Sequence, residues 1–205
     1  DASSAVTGGF AGNVTINGLG ASSLNISANG GNFSVFNINT GGVLTISGVT
    51  VSGANVSGNA GGFNNLGTLT INNSTITGNT AFNGGGIYNN GGSLIVSGST
   101  ISGNSASFTN ATTTTGTVKG SGGGIYSKSG STSITNSIIS GNFASLTNSG
   151  TVTGTVQGGA GGGIYCNLGT TSIANSTISG NSASFTNSLT GTVTGNIKGG
   201  NGSGI

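Results

Sequence analysis

Gly84-Gly85-Gly86-Ile87-Tyr88 is the stretch that decides the fold, because it returns along the chain. It recurs as Gly122-Gly123-Gly124-Ile125-Tyr126 and as Gly161-Gly162-Gly163-Ile164-Tyr165, at a nearly constant interval. A fourth copy, Gly202-Ser203-Gly204-Ile205, begins after a slightly longer interval. Self-similarity at a nearly fixed period of this length is typical of repeat architectures, in which stacked units share a continuous core.

A second motif follows the first at a constant distance. It reads Ile101-Ser102-Gly103-Asn104, Ile139-Ser140-Gly141-Asn142 and Ile178-Ser179-Gly180-Asn181, and its Asn lies equally far from the Ile of the first motif in every copy. Ile76-Thr77-Gly78-Asn79 and Val56-Ser57-Gly58-Asn59 are interpreted as earlier variants. Short alternating apolar runs lie between the motifs and no helical spacing is present, so each unit is predicted to hold two or three short strands separated by turns.

Stacking of these units predicts an all-β fold. A single strand cannot bury its apolar side alone, and identical units stacked in parallel place Ile over Ile and Asn over Asn at about 4.8 Å. The expected architecture is one right-handed parallel β-helix (a β-solenoid) over residues 1–205, with about six coils and a length of about 30 Å. Residues 1–83 are expected to form short coils without an insertion, and residues 84–205 three long repeats.

The repeated positions receive structural roles from this stacking. The isoleucines are expected to be interior ladders, the asparagines a turn ladder in the left-handed conformation with amides bonded to the next coil, and the tyrosines an aromatic stack. The glycine triplets allow a positive φ or a close backbone approach. The residues of these ladders are Ile87, Ile125, Ile164, Ile101, Ile139, Ile178, Asn79, Asn104, Asn142, Asn181, Tyr88, Tyr126 and Tyr165.

The same motifs carry a resemblance to a known family. The pattern GGGIYNN…STISGNSA resembles bacterial secreted and surface proteins with right-handed parallel β-helix repeats, including relatives of the chlamydial polymorphic outer membrane proteins. A copy of that family's FxxN motif stands at Phe36–Asn39. The resemblance implies the β-helix fold, an extracellular or cell-surface location and an adhesin-like or stalk role. Pectate lyases and polygalacturonases are similar in fold, but they depend on carboxylates and basic residues.

The composition argues against most catalytic and ligand-binding functions. Asp1 is the only side-chain carboxylate among 205 residues, and the chain has no His, Arg or Glu. General acid–base catalysis and metal binding need such groups, so we expect neither an enzyme nor a cofactor or metal site. Lys119, Lys128 and Lys198 are too few to neutralise several phosphates, which argues against nucleic acid as a partner. No apolar run approaches the length that a membrane-spanning helix needs, so we expect no membrane insertion by this segment. Cys166, in the slot of Asn89 and Ser127, is expected to be a partly buried thiol.

Three insertions follow the asparagine turn in the long repeats, over residues 111–121, 149–160 and 188–201. Their alternation predicts an extra strand in each coil, with one threonine face and one Val/Gly face. Three interpretations remain open for it: a widened solenoid face that only packs, a lateral contact face in an assembly, or a threonine array that binds ice or another ordered surface. The threonines of this face are Thr113, Thr115, Thr117, Thr151, Thr153, Thr155, Thr192 and Thr194.

The two ends of the chain lead to the functional expectation. The chain begins at Asp1 without an initiator Met, which suggests a processed product or a fragment, and it stops inside a further copy of the first motif. Gly202, Ser203, Gly204 and Ile205 are therefore the expected end-to-end contact, completed either by further repeats or by the next subunit. The first hypothesis is a non-enzymatic extracellular subunit that stacks head to tail on itself into a fibre. The alternatives are an adhesin-like segment that binds other surface proteins or polysaccharide, and an ice- or surface-binding module.

Overall fold

A computed structural model describes residues 9–188, 192–198 and 202–205 of the chain. The fold is all-β, the strands pair in parallel, and the described residues contain no helix. Strands form because apolar residues alternate with Ser, Thr and Asn over short runs. Val43–Ser47 shows this, with Leu44 and Ile46 fully buried between half-exposed neighbours.

Four sheets contain the strands, which are numbered here in chain order. The first sheet holds β1 (Asn13–Asn17), β3 (Phe36–Ile38), β4 (Val43–Ser47), β6 (Phe63–Asn65), β7 (Thr68–Asn72), β10 (Ile87–Ser97), β14 (Ile125–Thr135), β18 (Ile164–Cys166) and β19 (Thr170–Ala174). The second holds β2 (Asn25–Ser27), β5 (Thr50–Ser52), β8 (Thr75–Thr77), β11 (Thr100–Ser102), β15 (Ile138–Ser140) and β20 (Thr177–Ser179).

The other two sheets are smaller. The third holds β9 (Thr80–Ala81), β12 (Ser105–Asn110), β16 (Phe143–Asn148) and β21 (Ser182–Asn187). The fourth holds β13 (Thr114–Ser121), β17 (Thr151–Ala160) and β22 (Thr192–Lys198). Both continue the parallel pairing of the first two sheets.

The chain visits the sheets in turn and returns to each one strand further along. The second sheet, in the order β2-β5-β8-β11-β15-β20, therefore marks six successive layers, which we number one to six. The fourth sheet begins only in layer four, with β13. Successive layers stack at the usual strand spacing of about 4.8 Å.

The main core lies inside the first two sheets, which with their turns we call the body. It consists of aliphatic ladders in register, such as Leu44–Leu69–Leu94 and Ile101–Ile139–Ile178. Every member of these ladders is fully buried except Ile178, which lies in layer six. Burial of one such side chain contributes about 1.5–3 kcal/mol, so each additional layer adds to the same continuous core.

A second, smaller core lies between the third and fourth sheets. We call β12, β13, β16, β17, β21 and β22, which are confined to layers four to six, the wing. Leu146, Val152 and Val156 are buried there, and Phe108 and Phe185 pack against them partly exposed. The Val/Gly face of the insertions therefore points inward.

The long layers contain four or five strands, one of which lies in the insertion. One detail of the sequence interpretation is wrong. The layer-two counterpart of Ile76 is Val51, whereas Val56, from the motif taken as an earlier variant, donates its backbone N–H to Thr80 O. Layers two and three are offset by fewer residues than the long repeats, so the spacing learned from those repeats does not carry over to them.

Candidate functional site

The asparagines of the second motif form a buried ladder along one turn of the body. Asn104 Oδ1 accepts from the backbone N–H and the Nδ2 of Asn79, at 3.1 and 3.0 Å, and Asn142 Oδ1 accepts in the same way from Asn104 at 3.0 Å. Asn181 continues the pattern at 3.0 and 2.9 Å from Asn142. Each amide thus satisfies a buried backbone group of its neighbour, which makes the ladder sensitive to loss of any member.

The left-handed residues of this turn are the glycines, which corrects the expectation that the asparagines adopt that conformation. Gly78, Gly103, Gly141 and Gly180 have φ of 60–62°. The asparagine that follows each of them directs its amide along the ladder. Glycine adopts a positive φ without steric cost, and that frees the asparagine for hydrogen bonding.

A serine ladder was missed by the sequence analysis. Ser99 Oγ accepts from the N–H of Ser74 at 3.1 Å, Ser137 Oγ from Ser99 at 3.2 Å, and Ser176 Oγ from Ser137 at 3.1 Å. The sequence signal was present, because a serine stands two positions before the Ile of every second motif from Ile76 onward. Serine was common enough in the chain to hide this regularity.

The first motif brings its isoleucines and tyrosines into register. Ile87 pairs with Ile125, and Ile125 with Ile164, and all three side chains are fully buried. The first glycine of each triplet has a positive φ, 64° at Gly84 and 60° at Gly161. The later glycines lie against the adjacent layer: a Cβ on Gly86 would come 2.6 Å from Gly124 O.

The three tyrosines stack on one another outside the main core. The ring centroids of Tyr88 and Tyr126, and of Tyr126 and Tyr165, are each 5.2 Å apart, and Ala60 packs at the lower end of the stack. Burial raises the pKa of Tyr126 to about 12, with smaller contributions from the neighbouring hydroxyls of Tyr88 and Tyr165. The stack is thus a structural column in which ionisation of the central ring is disfavoured.

Cys166 lies in register with Ser127, as its slot in the motif predicts. Its thiol is free and exposed, which corrects the expectation of partial burial. The reason is its position in layer six, since Ser127 in the layer below is fully buried. Cys166 Sγ contacts Thr171 Oγ1 at 3.2 Å.

The threonine face of the wing points outward. Thr115, Thr153 and Thr194 form one column in register, and all three are exposed. Thr151 and Thr192 form a second exposed column, and Thr117 with the half-exposed Thr155 a third. Thr113 is exposed just before β13. Residues 189–191 and 199–201 of the third insertion lie outside the described residues.

The last motif packs on the layer-six triplet. Gly202 has φ 60°, and Gly163 donates its N–H to Ser203 O at 2.9 Å and Ile164 to Gly204 O at 2.9 Å. Ile205 is 60 % exposed, whereas Ile164 in the layer below is fully buried. The end-to-end residues therefore begin a further layer over the first sheet.

No group of three His, Cys, Asp or Glu that could hold a metal ion occurs among the described residues. Within that part of the chain, no helix has the length and apolar character needed to cross a bilayer. Comparison with protein-family models, curated proteins and solved structures finds no match for this chain. The family resemblance of its motifs therefore stays a prediction.

Proposed function

We propose that the chain is a right-handed parallel β-helix of six coils that serves as a non-enzymatic structural subunit outside the cell. In this proposal, copies stack head to tail into a surface fibre. The observation that carries it is the match between the two end faces of the body. The family resemblance supports the extracellular location, as does a composition with only three lysines and no arginine, which leaves few sites for trypsin-like proteases.

The upper end face, in layer six, exposes the core ladders. Ile173 and Ile178 are half-exposed, whereas Ile134 and Ile139, their partners in layer five, are fully buried. Whatever stacks on layer six therefore buries apolar surface, which is favourable by about 25 cal/mol per Å².

The lower end face, in layer one, presents the matching positions. Ile16 lies in the ladder Ile16–Ile46–Ile71, in the same sheet as Ile173. Ile26 lies in the second sheet with Ile178, and both Ile16 and Ile26 are half-buried. A second copy stacked in parallel would place Ile16 on Ile173 and Ile26 on Ile178, so the ladders would run through the junction. Such a heterologous contact does not close, and it produces a filament.

Electron microscopy of the purified protein tests this proposal. We expect continuous thin fibres with an axial repeat of about 30 Å, the height of six layers. Ile178→Lys places a charge on the end face and should leave single rods, whereas the control Thr177→Lys, on the exposed side of the same strand, should still form fibres. Isolated rods from the unaltered protein would overturn head-to-tail stacking and favour a segment of a longer surface stalk.

A second candidate function is favoured by the exposed threonine columns of the wing. Regular hydroxyl columns suit an adhesin-like contact with polysaccharide or another surface protein, or an ordered surface such as ice. Pull-down with insoluble polysaccharide and with ice tests this, with Thr153→Lys as the variant. Retention that is lost in the variant supports the function, and no retention contradicts it.

A further inference from the structure

The lower end of the wing has no complete layer of strands beneath it among the described residues. In layer three the chain runs directly from Phe82 and Asn83 into Gly84, without an insertion. β12 therefore has β9 beneath it only at Ser105 and Ala106. Of β13, only Ser121 bridges to the layer below, at Asn83, among the described residues. The rest of both strands presents a free edge, which natural proteins usually cover.

A cleft of about 280 Å³ occupies this open end, between the two sheets of the wing. The rings of Phe82 and Phe108 meet there edge to face, with centroids 4.6 Å apart. The residues that line the cleft are Phe82, Asn83, Phe108, Thr114, Thr117 and Lys119. The cleft is thus an apolar slot bordered by two strand edges, and the ligand that fits it is a pair of strands with apolar side chains between them.

The upper end of the wing presents such a pair of strands. Within the described part of the chain, β21 and β22 each have one partner strand in their sheets, β16 and β17. Phe185 and Val193 lie between them, half-buried against the wing core. They are the last members of the ladders Phe108–Leu146–Phe185 and Thr114–Val152–Val193, whose first members line the cleft. The upper end of the wing thus has apolar side chains between two strand edges, which is the shape that the cleft accepts.

We propose that the cleft binds the upper end of the wing of a second copy of this chain. Strand edges would pair across the contact, and the apolar side chains Phe185 and Val193 of that copy would enter the cleft. The partner cannot be a copy displaced along the same axis, because layers one to three of the upper copy would overlap the partner's body. It must approach from the side, with its body pointing away.

The available space suits this approach. In a head-to-tail fibre, layers one to three leave a gap of about 14 Å between successive wings, and a wing is itself three layers high. Wings of neighbouring fibres would therefore interdigitate and hold the fibres in bundles. The contact is heterologous and does not depend on head-to-tail stacking, so the two proposals can fail separately.

Sedimentation of the Ile178→Lys protein tests the wing contact without fibre formation. We expect this protein to self-associate with increasing concentration. Adding Thr114→Lys, which places a second positive charge in the cleft that Lys119 also lines, should weaken association about tenfold or more. Phe185→Lys at the upper end should do the same. The control Thr153→Lys, on the outer face of the wing, should associate like its parent.

A mixture of the cleft variant and the Phe185→Lys variant gives the decisive result. The Thr114→Lys protein keeps an intact upper end and the Phe185→Lys protein an intact cleft, so an equimolar mixture should form 1:1 pairs that neither forms alone. Circular dichroism of each variant checks that the fold persists. A monomeric Ile178→Lys parent, equal association of the Thr114→Lys and Thr153→Lys proteins, or a mixture without pairs would each overturn the wing contact. Fibre formation by the unaltered protein is scored separately by microscopy.

Discussion

The body and the wing are built from the same kind of stacked parallel strands, yet they differ in how regularly each layer repeats. In the body, one ladder buries an aliphatic residue in each of layers two to five, namely Ile46, Ile71, Val96 and Ile134. The wing has only three layers, and among the described residues its core cluster has three buried members, Leu146, Val152 and Val156. Its insertions, 111–121, 149–160 and 188–201, also differ in length.

This difference shows which region sets the register. Asparagine and serine ladders lock both backbone turns of the second sheet in the body, layer by layer. In the wing, the corresponding tip has single amide bonds, from Asn110 to Asn148 at 2.9 Å and from Asn148 to Asn187 at 2.8 Å. We infer that the body determines the stacking and that the wing follows it, so equivalent substitutions should cost more in the body.

Two buried asparagines provide the largest expected contrast in stability between the body and the wing. Asn104→Ala removes an amide that accepts from Asn79 and donates to Ile76 O at 2.9 Å, and it takes from the buried Asn79 N–H the acceptor that it bonds. We expect a loss of about 3–5 kcal/mol in the free energy of unfolding. Asn110→Ala removes one amide ladder bond and a 2.9 Å contact with Thr114, for a loss of about 1–2 kcal/mol. Urea denaturation measures both.

Asn13→Ala is the control for the asparagine pair, because Asn13 is exposed in layer one and should change stability little. If Asn104→Ala and Asn110→Ala destabilise the protein equally, the wing is as important to the register as the body, and the distinction between the two regions fails.

Two buried leucines sharpen the comparison with a smaller effect. Leu94 in the body is fully buried and Leu146 in the wing is 1 % exposed, so Leu→Ala removes the same atoms from both. We expect a loss of about 3–4 kcal/mol at Leu94 and about 2–3 kcal/mol at Leu146, because the three-layer wing relaxes more readily around the cavity. Hydrogen exchange should show global opening in the Leu94→Ala protein and faster exchange confined to the wing in the Leu146→Ala protein. Uniform acceleration in both would contradict this.

Much of the body was predictable from the sequence, and the all-β class with parallel sheets is confirmed. The GGGIY motif gives the register of Ile87, Ile125 and Ile164 directly, because equal repeat lengths align equal residues. The threonine alternation likewise indicates which face of each insertion points outward. These successes rest on period-two patterns and on strict repetition, which stacking converts into contacts.

The remaining features depend on information that repetition does not contain. The early layers are shorter, so Val56 was assigned the place that Val51 holds. The turn conformation divides between Gly103 and Asn104 in a way that residue preferences alone do not decide, since both tolerate a positive φ. The wing cleft arises because layer three lacks an insertion, and the contact between Phe82 and Phe108 is visible only after folding.

The smallest expected effect concerns the tyrosine column, and it tests the body alone because all three tyrosines of the chain lie there. Burial holds the pKa of Tyr126 at about 12, above its ordinary value of 10.0, so the folded state retains the phenolic proton that the unfolded state loses first. Tyr126 therefore contributes stability that is fully present below pH 10 and is lost as the pH rises from 10 towards 12. Phenolate absorbance should show Tyr126 titrating near pH 12 in the folded protein and near its ordinary 10.0 in urea.

Two variants test whether the titration of Tyr126 depends on the body alone. A Tyr126→Phe protein should lose the late step and show a weaker fall in stability above pH 10, because the proton that burial retains is no longer present. The Leu146→Ala protein should give the same titration as the unaltered chain, since its defect lies in the wing. If Leu146→Ala shifts the titration instead, the wing and the body are coupled, and the column reports on both.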